Sequence, residues 1–94
     1  MKKGYLYILQ CADGSYYTGS TIDLKRRLSE HASGKGARHT SKYGPCRLVY
    51  VEIHDTIAAA FYREKQIQKW TRAKKKALID GDLNQLKELA KRGF

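Results

Sequence analysis

Two tyrosine-rich runs, Gly4-Tyr5-Leu6-Tyr7-Ile8-Leu9-Gln10 and Ser15-Tyr16-Tyr17-Thr18-Gly19, stand on either side of Ala12-Asp13-Gly14. Asp-Gly between two such runs is a strong short-range hairpin signal, because both residues accept the backbone angles of a tight reversal. Loop length then decides which side chains share a face, since they alternate along a strand with a period of two. A two-residue loop at Asp13-Gly14 would pair Gln10 with Tyr17 and put Tyr7 and Tyr17 on opposite faces. A three-residue loop with Gly14 in a left-handed bulge pairs Leu9 with Tyr17 and Tyr7 with Gly19, bringing both phenols to one face. In that register Gly19 leaves an open space beside the Tyr7 ring, suited to a backbone or ligand that must come close.

The helical patterns carry polar groups on their apolar stripes. Ser20-Thr21-Ile22-Asp23 supplies helix-start residues, and Leu24, Arg27, Leu28 and His31 follow at helical spacing. Lys25, Arg26, Ser29 and Glu30 fall on the outer face. A second long helix reads from Asp55 or Thr56 to Trp70, with Ile57, Ala60, Phe61, Glu64, Ile67 and Gln68 on its inward stripe. Glu64 sits in the middle of that stripe. A carboxylate there is costly unless it pairs with a cation, binds a metal or borders a cleft.

Taken together, these residues resemble the GIY-YIG nuclease superfamily in its small single-domain bacterial branch. Tyr5-Leu6-Tyr7 stands where that family has Gly-Ile-Tyr, and Tyr17-Thr18-Gly19 where it has Tyr-Ile-Gly. Arg27 matches the arginine of the family's first helix, His31 its His or Tyr one turn later, and Glu64 its metal-binding glutamate. The resemblance covers roughly the first 75 residues, and it is the ordered set of five that makes it specific. Gly4 precedes Tyr5 and does not replace the first motif residue. Arg72-Ala73-Lys74-Lys75-Lys76 stands where many relatives carry an asparagine, and Ser20 where several carry a lysine.

The resemblance implies a metal-dependent endonuclease acting on DNA, selective for structure or single strands, with a place in repair or recombination. Phosphodiester cleavage needs an activated water, neutralised phosphate charge and help for the leaving oxygen, and the five residues offer a candidate for each. Glu64 is expected to hold one Mg²⁺ or Mn²⁺, mostly water-ligated. The planar fork of Arg27 suits a phosphate clamp. Tyr7 and Tyr17 are implied to contact the attacking water, one of them as general base. A free phenol is only about one part in a thousand ionised at neutral pH, so that role needs help from Arg27 or the metal. His31, titrating near neutrality, is the rival base or a proton relay.

Ninety-four residues with 19 Lys and Arg against 9 Asp and Glu give a net charge of +10, a balance that favours polyanions. The length suits one domain spanning 1–94, with its motif core over about 4–75. No run is long and apolar enough for a signal peptide or membrane helix, so a cytoplasmic location is expected. Cys11 and Cys46 lack metal spacing with the histidines and read as reduced, partly buried thiols. The stretch from Ser33 to Pro45 reads as one long irregular segment, either a loop whose Lys35, Arg38, His39 and Lys42 lie along a phosphate backbone or a solvated flexible loop. The run from Arg47 to His54 is β-branched and alternates poorly, as in a strand covered on both faces. It completes a three-stranded sheet with the hairpin.

Thr71 is placed to cap a further helix whose first turns carry Arg72, Lys74, Lys75 and Lys76, the wrong sign for a helix N-terminus; either an arriving phosphate resolves the conflict or the run is a tolerated, solvated one. Asp82-Leu83-Asn84-Gln85 reads as a capping box opening a last helix over about 82–92. The fold class expected is α/β (α+β), a small three-stranded antiparallel sheet flanked by helices. The alternatives to an endonuclease are a non-catalytic DNA- or RNA-binding module on the same fold and a small protein that docks with a larger repair complex.

Overall fold

A computed structural model describes residues 2–82 and residue 84. Three strands, β1 (Gly4–Cys11), β2 (Tyr16–Thr21) and β3 (Cys46–His54), form one antiparallel sheet in the order β2-β1-β3. Four helices accompany it: α1 (Leu24–Ala32), α2 (Arg38–Tyr43), α3 (Ile57–Gln68) and α4 (Arg72–Asp80). The helix expected over 82–92 lies, beyond Asp82 and residue 84, outside the described residues. Among the described residues no helix is long and apolar enough to cross a membrane.

The hairpin adopts the three-residue register. Leu9 pairs with Tyr17 and Tyr7 with Gly19, and Gly14 sits at φ 86°. Asp13 organises the turn, its Oδ1 accepting from the Ser15 backbone N–H at 3.0 Å and from Ser15 Oγ at 2.6 Å. The space expected at Gly19 is not open. A Cβ there would lie 2.5 Å from the Tyr7 hydroxyl and 3.1 Å from the Tyr17 ring, so the absent side chain makes room for the phenol itself.

Alternation along β1 divides the molecule into two layers. Leu6 and Ile8 face one way and join Ile67 of α3 in the apolar core, with Tyr16, Val49, Tyr50, Trp70, Leu78 and Ile79 packed around them. Gly4 shares that face and touches the start of α3; a Cβ there would come within 2.4 Å of Thr56 O. Tyr7 points the other way, to α1. Each helix start has its side-chain cap where the sequence offers one: Asp23 for α1, Thr56 for α3 and Thr71 for α4. Gly81 closes α4 in the left-handed conformation.

Four further expectations need correction. The segment from Ser33 to Pro45 is not irregular throughout, since residues 38–43 form α2 before a cis Gly44-Pro45 bond leads into β3. β3 is an outer strand and is not covered on both faces, for Ile53 is 67% exposed. On α3 the buried residues are Ala60, Glu64 and Ile67, whereas Ile57 and Gln68 are exposed and Phe61 is 51% exposed. Finally, the thiols expected to be reduced are joined: Cys11 and Cys46 are register partners on β1 and β3 and form a disulfide across 35 positions of sequence. Strand register, which sequence spacing does not reveal, puts them opposite each other.

Candidate active site

β1 and α1 together build a hydrogen-bonded cluster around the Tyr7 phenol. Tyr7 is 0% exposed. Its hydroxyl lies 2.8 Å from His31 Nε2, and Arg27 Nε donates to it at 3.3 Å. Arg27 and His31 are one helical turn apart on α1, so one face of one helix delivers both partners. The Tyr17 ring packs beside them, its centroid 6.3 Å from that of Tyr7 and 5.2 Å from that of His31. Tyr17 is only half-buried, so its ring forms the outer wall of the cluster.

Burial pushes the Tyr7 phenol up to about 12, against the opposing pull of Arg27. The same burial, aided by the Arg27 charge, lowers the His31 imidazole below its ordinary 6.5. At neutral pH the pair is therefore a protonated phenol beside a neutral imidazole. Arg27 stays charged, and its Nη1 also reaches Glu30 Oε1 at 3.2 Å. Glu30, read as plain outer surface, thus touches the cluster.

Glu64 arrives from the other layer and has a separate set of partners. Its Oε1 accepts from Ser20 Oγ at 2.6 Å, and its Oε2 accepts from Gln68 Nε2 at 2.9 Å, with Lys65 Nζ at 3.5 Å. Gln68 also donates to the Thr18 carbonyl at 3.3 Å. Ser20 and Thr18 alternate along β2 with Tyr17 and Gly19, so Glu64 sits across this outer strand from the phenols. Its charge still reaches Tyr7, whose pKa it helps to raise. Four of the five residues thus share one cluster, and the fifth flanks it across β2. Sequence reasoning missed Ser20 and Gln68 as partners of Glu64, although Gln68 at i+4 on the same helix was a readable signal.

The donors that Glu64 could offer a metal are hard oxygens, although Gln68 Nε2 and the Lys65 ammonium also face its Oε2. Among the described residues no group of three or more His, Cys, Asp or Glu side chains forms a metal cage. Any ion here would lean on substrate oxygens and water for its remaining ligands.

The basic residues proposed for the nucleic acid fall into two groups. Lys35, Arg38 and Lys42 are exposed around α2, with Lys42 over the Tyr43 ring at 5.3 Å. His39 turns back to the hairpin. Because Ser15 Oγ gives its proton to Asp13, His39 Nε2 must donate to Ser15 Oγ, 2.8 Å away. At α4, Arg72 lies 4.5 Å from the Tyr16 ring centroid and Lys74 4.3 Å from that of Trp70. Aromatic faces thus offset part of the wrong-sign charge at that helix start. Lys75 is half-buried and its ammonium pKa is lowered by desolvation.

Residues 3–77 match the model of the GIY-YIG catalytic domain. The chain belongs to the GIY-YIG family. Among GIY-YIG relatives, a UPF0213 protein of Syntrophus aciditrophicus is 46% identical over 80 residues, covering 84% of this chain and 92% of its own length. A UPF0213 protein of Haloquadratum walsbyi is 46% identical over 83 residues, covering 86% and 93%. The solution structure of the Bacillus halodurans UPF0213 protein superposes with a TM-score of 0.55 at 44% identity, covering 83% of each chain. An E. faecalis protein solved in solution gives 0.59 at 36% identity, covering 86% of each. The GIY-YIG assignment carries with it a nuclease-type fold, and nucleases of this superfamily usually use a divalent metal.

Proposed function

We infer that this GIY-YIG protein is a metal-dependent endonuclease that hydrolyses DNA phosphodiester bonds, with a preference for shape or single-stranded character. The observation that carries the reading is the Tyr7 hydroxyl held between the Arg27 guanidinium and Nε2 of a neutral His31. That arrangement is a proton path beside a phosphate clamp. Arg27 binds the scissile phosphate through its fork of donors. Moving onto the phosphate, it uncovers a lone pair of the Tyr7 oxygen, which the attacking water reaches past Tyr17. The phenol takes the water's proton as it passes its own to His31 Nε2, so no free phenolate is needed despite a pKa near 12. Glu64 would hold the divalent ion, which supplies charge neutralisation at the phosphate when bound.

The basic residues around α2 and at the start of α4 supply non-specific affinity for the backbone, and the net charge of +10 makes that affinity salt-sensitive. DNA repair or recombination is the setting this chemistry fits. A second reading, a nucleic-acid-binding module without catalysis, draws on a different observation. Tyr7 is closed off from solvent, and both Glu64 oxygens already have protein donors.

One experiment separates the two. A labelled panel of duplex, single-stranded, flapped and branched DNA, plus RNA, is incubated with Mg²⁺, Mn²⁺ or EDTA, wild type beside Glu64→Ala. Chelator-sensitive products that disappear in Glu64→Ala while most binding is retained are the expected result. Binding without cleavage by either protein would establish the module instead.

A further inference from the structure

Behind His31 stands a residue that the cleavage chemistry has not yet used. Thr40 of α2 is buried at 3% exposure, and its Oγ1 lies 2.7 Å from His31 Nδ1. The same hydroxyl is placed to donate to the Ala37 carbonyl at 2.9 Å, one turn back. Gly36 packs against the same edge of the ring; a Cβ there would sit 2.4 Å from Nδ1, so only glycine lets the backbone close over it.

A hydroxyl has one proton to give. If Thr40 gives it to Ala37, the bond to His31 must run from Nδ1–H to Thr40 Oγ1, which leaves Nε2 bare and obliges Tyr7 to donate to it. Every proton in the chain then has an acceptor: Arg27 to Tyr7, Tyr7 to His31, His31 to Thr40, Thr40 to Ala37. In the reverse arrangement Thr40 would donate to Nδ1, and Tyr7 would accept from both His31 and Arg27. The phenol proton of a fully buried tyrosine would then have no acceptor among its hydrogen-bond partners, a cost of about 1–3 kcal/mol. The first arrangement wins.

We propose that Thr40 is a positioning residue that holds His31 in its Nδ1–H tautomer, so that Nε2 is the proton acceptor for Tyr7. Thr40 does not touch substrate. It acts through the imidazole, as an orienting partner behind a catalytic base does. Its contribution to cleavage rests on the endonuclease reading, whereas the tautomer itself does not.

The test is the ¹⁵N spectrum of the His31 ring in the full-length protein at pH 8, read by long-range proton correlation, alongside cleavage. In the wild type Nδ1 is expected to carry the proton and Nε2 to be bare. Thr40→Val keeps the shape but removes the acceptor; it is expected to move the proton to Nε2, wholly or in part, and to lower the cleavage rate about 10²-fold. Thr40→Ser should restore both. A wild type with the proton on Nε2 overturns the proposal even if Thr40→Val fails to fold. So does a Thr40→Val protein that loses cleavage with its tautomer unchanged, because Thr40 would then matter only for packing. If the wild type cuts no DNA, the endonuclease reading fails, while the spectra still decide whether Thr40 sets the tautomer.

Discussion

Leu6, Tyr7 and Ile8 are consecutive on β1 and equally buried, yet they are held by different forces. Leu6 and Ile8 face Ile67 and an apolar shell, where removal from water stabilises roughly in proportion to area. Tyr7 faces Arg27 and His31, where each buried polar atom is tolerated because a partner meets it. The comparison teaches that one strand can serve two purposes. The apolar layer supplies stability without orientation. The polar layer supplies orientation at little net stabilisation, because its hydrogen bonds replace those to water.

The sharpest way to break that division is Ile67→Ala. Truncating a side chain with no exposed surface should cost about 2–5 kcal/mol, measured as a lowered urea midpoint, while cleavage per folded molecule stays near wild type. A large fall in cleavage by the folded fraction would show that the two layers are coupled. Tyr7→Phe is the reciprocal change. It strands His31 Nε2 and Arg27 Nε, costs about 1–3 kcal/mol of stability, and should cut the cleavage rate about 10²-fold. Undiminished cleavage by Tyr7→Phe would remove the phenol from the proton path.

The smallest expected effect is on stability against pH, to which the polar layer contributes at both ends. His31 has a lowered folded pKa, so its contribution is complete above the ordinary value of 6.5 and is lost as pH falls below that toward the folded value. Tyr7 has a raised one, so its contribution is complete below pH 10 and is lost as pH rises toward about 12. Tyr50, raised by burial and by its bond to Glu52, adds to the alkaline loss. Urea midpoints measured across pH should form a plateau between these limits. His31→Gln should flatten the acid shoulder near 6.5, and Tyr7→Phe should weaken the alkaline one. An unchanged acid shoulder in His31→Gln would assign it to the carboxylates instead.

Local chemistry made much of this arrangement legible. Asp13-Gly14 marks the reversal and leaves two registers, because a turn is decided by the residues within it, and the one adopted puts Tyr7 and Tyr17 on one face. Asp23, Thr56 and Thr71 mark three helix starts for the same reason: the cap and the amide it satisfies are three residues apart. The stripe carrying Arg27 and His31 is periodic, so their delivery to one side of α1 was readable too. Where periodicity misled, solvent was the cause. Ile53 on the outer strand β3 and Phe61 on α3 carry apolar side chains that the fold leaves largely in water.

By itself, then, the sequence determined the three strands, the longer helices and the helix face that carries Arg27 and His31, and it narrowed the hairpin to two registers, since each is an interaction between residues a few positions apart. Tertiary structure alone decided which long-range partners meet. Ser20 reaches Glu64 across 44 positions, Cys11 meets Cys46 across 35, and the α2 helix comes to rest with Thr40 against His31. Those contacts are set by how strands align and layers stack. No local pattern encodes that, because many distant pairings satisfy the same periodicity, and only packing against every other element selects one.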